Sequence, residues 1–296
     1  MSEIAVHFQR VRTNGVELSI ARAGEGPAVI LLHGFPENWT SWRRQIPALV
    51  AAGYSVWAPD LRGYNLSDKP PGRDAYHLRH LTADIAGIVR ATGQPKASIV
   101  GHDWGGLVAW TFAGQYPELL STLTILNAPH AKLYEREVLR LRQLFKSWYV
   151  GLFQLPWLPE YLLSFSNFAL MRWMFRSSAR PGTFSQDDIE TYVAPFRQPY
   201  ALTAALNYYR ANFRSGAARM AKDALSKAPT LVIWGERDVA LSIHLLDGLE
   251  QVAANIEVKR LPNVGHWVQN EASNEVNATL VAFLRSAAFA NSICYG

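Results

Sequence analysis

Gly101-His102-Asp103-Trp104-Gly105-Gly106 joins a short apolar run, Ala97 to Gly101, to a helical pattern, Trp104 to Gln115. Its Gly-x-acid-x-Gly spacing is that of a nucleophile elbow, where glycines permit a tight strand-to-helix turn that lifts one side chain above a sheet edge. The raised position holds Asp103, not Ser, which disfavours a serine esterase, lipase or peptidase. A carboxylate attacks carbon by displacement and leaves an alkyl ester that water must cleave. The competing reading of Asp103 is a side chain that merely caps the helix starting at Trp104.

Two further stretches bear on that choice. Thr230 to Trp234 reads as a buried strand running into Gly235-Glu236-Arg237-Asp238, and Asn263-Val264-Gly265-His266-Trp267 follows the next strand in the same way. Asp238 and His266 would thus stand at the ends of neighbouring strands. Nucleophile, acid, histidine, with an insertion between the first two, is the chain order of α/β-hydrolase triads.

The elements that must position these residues are legible as strand and helix patterns. Val6 to Val11 and Val16 to Ala21 flank the hairpin signal Asn14-Gly15. Strands are expected at Ala28 to Leu32, Ser55 to Ala58, Ala97 to Gly101, Leu119 to Leu126, Thr230 to Trp234 and Ile256 to Leu261. Helices are expected at Trp42 to Ala52, Leu78 to Ala91, Trp104 to Gln115, Ile243 to Ala253 and Asn270 to Phe289. This alternation predicts an α/β fold with a mostly parallel central sheet flanked by helices. From Leu133 to about Phe213 only helical periodicities remain, so a helical cap is expected at 130–217, between core segments 1–129 and 218–296.

Composition narrows the class. Among 296 residues, 29 Lys and Arg against 24 Asp and Glu give +5, with 18% charged and 49% hydrophobic. That balance excludes disorder and a polybasic nucleic-acid arm. The single Cys, Cys294, rules out an intramolecular disulfide and a cysteine-based metal site, and suits a reducing compartment, most simply the cytoplasm. The longest stretch without Asp, Glu, Lys or Arg, Gln45 to Pro59, is too short to span a membrane. Aromatics at 12% suggest either an aromatic-lined cavity or a large core.

With these residues in place, the chain resembles the α/β-hydrolase-fold epoxide hydrolases over essentially its whole length. His33-Gly34-Phe35-Pro36-Glu37 is similar to that family's HGxP oxyanion loop, and Asp60-Leu61-Arg62-Gly63-Tyr64-Asn65-Leu66-Ser67-Asp68 to its D-x-R-G-x-G-x-S-D loop. Asn65 replaces a usual glycine, a change that a left-handed backbone tolerates. The family also implies two cap tyrosines that donate to the epoxide oxygen. Tyr149, ahead of Phe153-Gln154-Leu155-Pro156, and Tyr209, within Asn207-Tyr208-Tyr209-Arg210, match those positions.

The resemblance implies attack by Asp103, activation of water by His266 oriented by Asp238, and an oxyanion hole from the backbone N–H groups of Phe35 and Trp104. It also suggests Glu37 as a residue that orients water, with a loop role as the alternative. His33 and His102 read as loop braces. The expected pocket residues are Phe35, Trp104, Trp148, Phe153 and Trp267. The aromatic cap run Trp148, Phe153, Trp157, Tyr161, Phe165, Phe168, Trp173 and Phe175 suggests an apolar substrate, or simply a core. No metal or organic cofactor is implied; the partners are a small apolar epoxide and water, with monomer or homodimer left open. A haloalkane dehalogenase using the same Asp, with Trp104 as a halide donor, is the alternative enzyme. A non-catalytic ligand-binding protein on this scaffold is the alternative outside catalysis.

Overall fold

The computed structural model describes residues 4–213 and 225–293. The expected core boundary at 218 and Cys294 lie outside these residues. Eight strands form one sheet: β1 (His7–Thr13), β2 (Val16–Ala23), β3 (Ala28–Leu32), β4 (Ser55–Pro59), β5 (Ala97–His102), β6 (Leu120–Leu126), β7 (Thr230–Gly235) and β8 (Ile256–Leu261). Their order is β1-β2-β4-β3-β5-β6-β7-β8. β2 pairs antiparallel with both β1 and β4, and every other pair is parallel. Asn14 and Gly15 both take positive φ, 45° and 75°, the turn the Asn-Gly dipeptide favours.

The central strands are apolar because both of their faces are covered. β3, β4, β5 and β7 are buried at every residue. Ile30 and Leu32 of β3 point into one core, with α2 (Leu78–Ala91) and α3 (Trp104–Gln115). Val29 and Leu31 point into the other, where Ile46 and Leu49 of α1 (Gln45–Ala51) meet Val276, Leu280 and Leu284 near the chain's end.

Two expected helices take another form. Pro47 lacks an N–H and clashes with the carbonyl four residues back, so a continuous helix from Trp42 is blocked; a 3₁₀ turn at Trp39–Trp42 precedes α1 instead. Ile243 to Ala253 contains only 3₁₀ turns, Ile243–Leu246 and Leu249–Gln251, because Asp247 is extended and Gly248 takes φ 90°.

Every regular element described between β6 and β7 is helical: α4 (Ala131–Val138), α5 (Leu141–Lys146), α6 (Trp148–Leu152), α7 (Leu158–Ser178), α8 (Gln186–Val193), a 3₁₀ turn at Ala194–Arg197 and α9 (Ala201–Asn212). α7 is broken within, as Ser166, Asn167 and Phe168 all take positive φ. α9 is fastened to the core. Tyr208 donates its hydroxyl to the Arg62 carbonyl at 2.7 Å, and Asn212 bonds both Leu78 N–H and Tyr76 carbonyl at 2.9 Å. After β8, the expected terminal helix is divided at Ala272 into α10 (Val268–Glu271) and α11 (Ser273–Ile293).

Candidate active site

Asp103 occupies a sharp turn between β5 and α3, with φ 49° and ψ −119°, a backbone conformation that costs an L-residue energy. Glycine is required around it. A Cβ at Gly105 would collide with the Leu32 carbonyl, and one at Gly34 would collide with the Asp103 side chain. Asp103 makes no side-chain capping bond to α3, so the capping reading fails. Its Oδ1 instead accepts the Phe35 N–H at 2.7 Å, and the Trp104 N–H is near enough to stabilise the carboxylate.

His266 stands beside it, Nε2 lying 3.8 Å from Asp103 Oδ2. The other ring nitrogen, Nδ1, donates to Asp238 Oδ2 at 2.7 Å. That same oxygen accepts Asn127 Nδ2 at 2.6 Å, while Oδ1 accepts the N–H groups of Ala240 and Leu241 at 2.7 and 2.9 Å. Asp238 thus has four donors and a fixed orientation. Asn127 is a site residue that sequence reasoning missed; its place just after β6 was the available signal.

The electrostatics follow from this arrangement. Burial alone would raise Asp238, but attraction to His266 and the bonds from His266 and Asn127 outweigh it and hold the carboxyl below its ordinary value. Burial alone would lower His266; the charge and hydrogen bond of Asp238, with the charge of Asp103, lift it to about 9. Asp103 is pushed up by burial, which outweighs His266, His102 and the two N–H donors.

Tyr149 on α6, Tyr209 on α9, Trp104 and Asp103 line one cavity of about 250 Å³. The two phenol rings lie edge to face at 6.1 Å. Burial, then the nearby Asp103 charge, pushes both phenols well above 10, so each is neutral and able to donate at pH 7. Most of the remaining wall is apolar, from Leu107, Val138, Val150, Phe213 and Leu241. Sequence reasoning missed these residues, since helical periodicity does not say which buried face borders a cavity.

Other expected residues sit elsewhere. Phe35 and Phe153 are buried behind the tyrosines, their rings 5.6 and 5.0 Å from that of Tyr209. Trp267 packs between His266 and Phe175, with ring separations of 5.0 Å to each, and is not among the cavity residues. Trp148 requires correction: it is 68% exposed and outside the cavity wall. The insertion's aromatic run as a whole lies outside that wall. Phe153, Phe168 and Phe175 are core, whereas Trp157, Tyr161, Phe165 and Trp173 are exposed.

Glu37 is buried and fully engaged, away from the cavity wall. Oε2 accepts Gly34 N–H at 3.1 Å and His102 Nδ1 at 2.7 Å, and Oε1 accepts Gln269 Nε2 at 3.0 Å and the Ser41 hydroxyl. Burial would raise this carboxyl, yet His102 and these bonds hold it down to about 2. The structure therefore gives it a bracing position. His33 braces too, donating to Gly34 carbonyl at 2.9 Å and accepting Leu61 N–H at 3.0 Å. Asn65 adopts φ 41° and donates to Asp60 at 2.9 Å, which keeps the second loop's turn. No His, Cys, Asp and Glu among the described residues form a group able to hold a metal ion, and no described helix is long and apolar enough to cross a membrane.

A mostly parallel eight-stranded sheet with an elbow after β5, an acid after β7 and a histidine after β8 is α/β-hydrolase architecture. Residues 27–273 match the family described as alpha/beta hydrolase fold. The chain is 40% identical to AB hydrolase superfamily protein YfhM of Bacillus subtilis, over 95% of this chain and 99% of that one. It is 37% identical to epoxide hydrolase 3 of Mus musculus, over 95% of this chain and 77% of that one. The crystal structure of Bacillus megaterium epoxide hydrolase in complex with an inhibitor superposes with a TM-score of 0.87 at 32% identity, covering 94% of this chain and 100% of that chain. The chain belongs to the epoxide hydrolases of the α/β-hydrolase fold.

Proposed function

We propose that this enzyme hydrolyses small apolar epoxides to vicinal diols through an ester on Asp103. One observation carries the reading: the Asp103 carboxylate and the phenols of Tyr149 and Tyr209 border the same mainly apolar cavity. Asp103 Oδ2 attacks a ring carbon, the carbon–oxygen bond of the epoxide breaks, and the tyrosine hydroxyls donate to the departing oxygen. Without such donors the alkoxide would be too basic to leave.

Ester formation changes the base. The negative charge of Asp103 is one of the influences holding His266 up at about 9. Esterification removes that charge, so the imidazole becomes easier to deprotonate just when it must accept a proton. His266 Nε2 then takes a proton from water, and the hydroxide attacks the ester carbonyl. Oδ1, which accepts the Phe35 N–H, carries the tetrahedral negative charge, with the Trp104 N–H as the second donor; one such donor contributes about 3 to 4 kcal/mol. Collapse passes the His266 proton to the departing alkoxide oxygen, and the second proton of the attacking water, left on the Asp103 carboxyl, replaces the one that a tyrosine gave to the ring oxygen.

Water oxygen therefore enters Asp103, while the oxygen added to the diol comes from the carboxylate. A single turnover of excess enzyme with styrene oxide in H₂¹⁸O tests this route. The expected first-turnover diol carries no ¹⁸O. Full labelling of that diol would show direct attack of water on the epoxide and overturn the ester route.

A further inference from the structure

The loop that carries His266 is held from two directions. On the core side, His102 Nε2 donates to the His266 carbonyl at 2.9 Å. On the side of the insertion, Trp267 Nε1 donates to Ser178 Oγ at 2.9 Å, and the Trp267 ring packs 5.0 Å from Phe175. Both of those partners belong to α7.

Glu271, the last residue of α10, closes this arrangement. Its Oε2 accepts the Gly265 N–H at 2.9 Å and its Oε1 the Trp267 N–H at 3.1 Å. One carboxylate thus grips the N–H groups of the two residues that flank His266. Oε2 also accepts the Arg180 N–H at 3.4 Å, just beyond α7. Glu271 does not line the cavity and has no bond to Asp103, Tyr149 or Tyr209 among those described.

We propose that Glu271 is a positioning residue for His266, needed for water activation on the ester and dispensable for ring opening. The nucleophile is fixed by its own elbow and by the Phe35 N–H, and the two phenols stand on α6 and α9. Loosening the clamp therefore moves the imidazole and leaves the alkylating groups in place. A displacement of about 1 Å in a reacting group can cost on the order of a hundredfold in rate. A purely structural duty, with Glu271 merely capping its own short turn, would slow both half-reactions together.

The inference rests on the ester route, so both are read from one experiment. Wild type, Glu271→Gln and Gly265→Ala are mixed rapidly with styrene oxide, and ester formation and decay are followed by quenched intact mass. Glutamine keeps one acceptor but turns an NH₂ donor toward an N–H. Alanine at Gly265 attacks the clamp from the opposite side, since its Cβ would lie 2.9 Å from Glu271 Oε1 and 3.2 Å from the Ser178 carbonyl. This second variant keeps the test sharp should Glu271→Gln fold poorly. We expect unchanged ester formation, ester decay slowed on the order of tenfold to a hundredfold, and accumulated adduct in both variants. Parallel slowing of both phases, or no change in either, would overturn the role of Glu271. An absence of ester in wild type would overturn the catalytic route instead.

Discussion

Asp238 and His266, on the core side of the cleft, are held by charge-assisted hydrogen bonds, whereas the two phenols on the insertion side are surrounded by packed rings. Asp238 satisfies its carboxylate with His266, Asn127 and two backbone N–H groups. Tyr149 and Tyr209 are set by aromatic neighbours, with Phe153 at 5.5 and 5.0 Å from their rings. Directional bonds constrain residue type and orientation at each position, while ring packing admits several aromatic arrangements. The core half is therefore set by directional bonds, and the two phenols, on the proposed reading the donors to the epoxide oxygen, by ring contacts.

This contrast can be broken or sharpened by substitution. Asp103→Ala removes the nucleophile, and diol formation from styrene oxide is expected to fall by about four orders of magnitude or more; substantial retained turnover would mean another group attacks. Replacing both phenols, Tyr149→Phe with Tyr209→Phe, should slow ring opening by about a hundredfold to ten-thousandfold, measured in single-turnover kinetics. Unchanged ring opening would remove the donors' assigned roles and with them the division of labour between the two sides.

A smaller effect lies in stability against pH. His266 titrates at its ordinary 6.5 in the unfolded chain and at about 9 in the folded site, where Asp238 and Asp103 outweigh burial. Between these values the folded state keeps a proton that the unfolded state has lost, so stability falls as pH rises from about 6.5 to 9. Asp238, depressed when folded, contributes above its unfolded value and loses that contribution only in acid. Urea unfolding at pH 6.5 and 9 should show a decline in wild type that is shallower in His266→Gln; equal slopes would contradict the assigned shift. Smallest of all, Trp148→Ala should change stability by no more than about 0.5 kcal/mol and leave KM unaltered, because its ring faces solvent. A large rise in KM would return Trp148 to the substrate path.

The same contrast explains what the sequence could disclose. The bounds of β3, α2 and α3 coincide with the expected runs, because burial leaves an unbroken or repeating apolar pattern, and those of β8 also coincide although only Leu261 of it is buried. Asp103 and Asp238 were legible because each follows a buried strand, and His266 because it follows the next parallel strand, whose end shares the same edge. The broken course of α7 was not, since positive φ at Ser166, Asn167 and Phe168 involves residues that do not announce it as glycine would. Nor were the cavity walls: Val138 and Val150 look like ordinary helix residues, while the conspicuous Trp148 and Trp157 face outward. Asn127 shows a further limit, because an amide that holds an acid in place has no spacing signature of its own.

The most direct measurement is the intact mass of His266→Gln after incubation with styrene oxide, beside Asp103→Asn/His266→Gln treated in the same way. One added epoxide mass in the first protein and none in the second is the expected result, since the base is absent and the ester persists. No added mass in His266→Gln, while wild type forms diol from the same epoxide, would contradict the covalent role of Asp103.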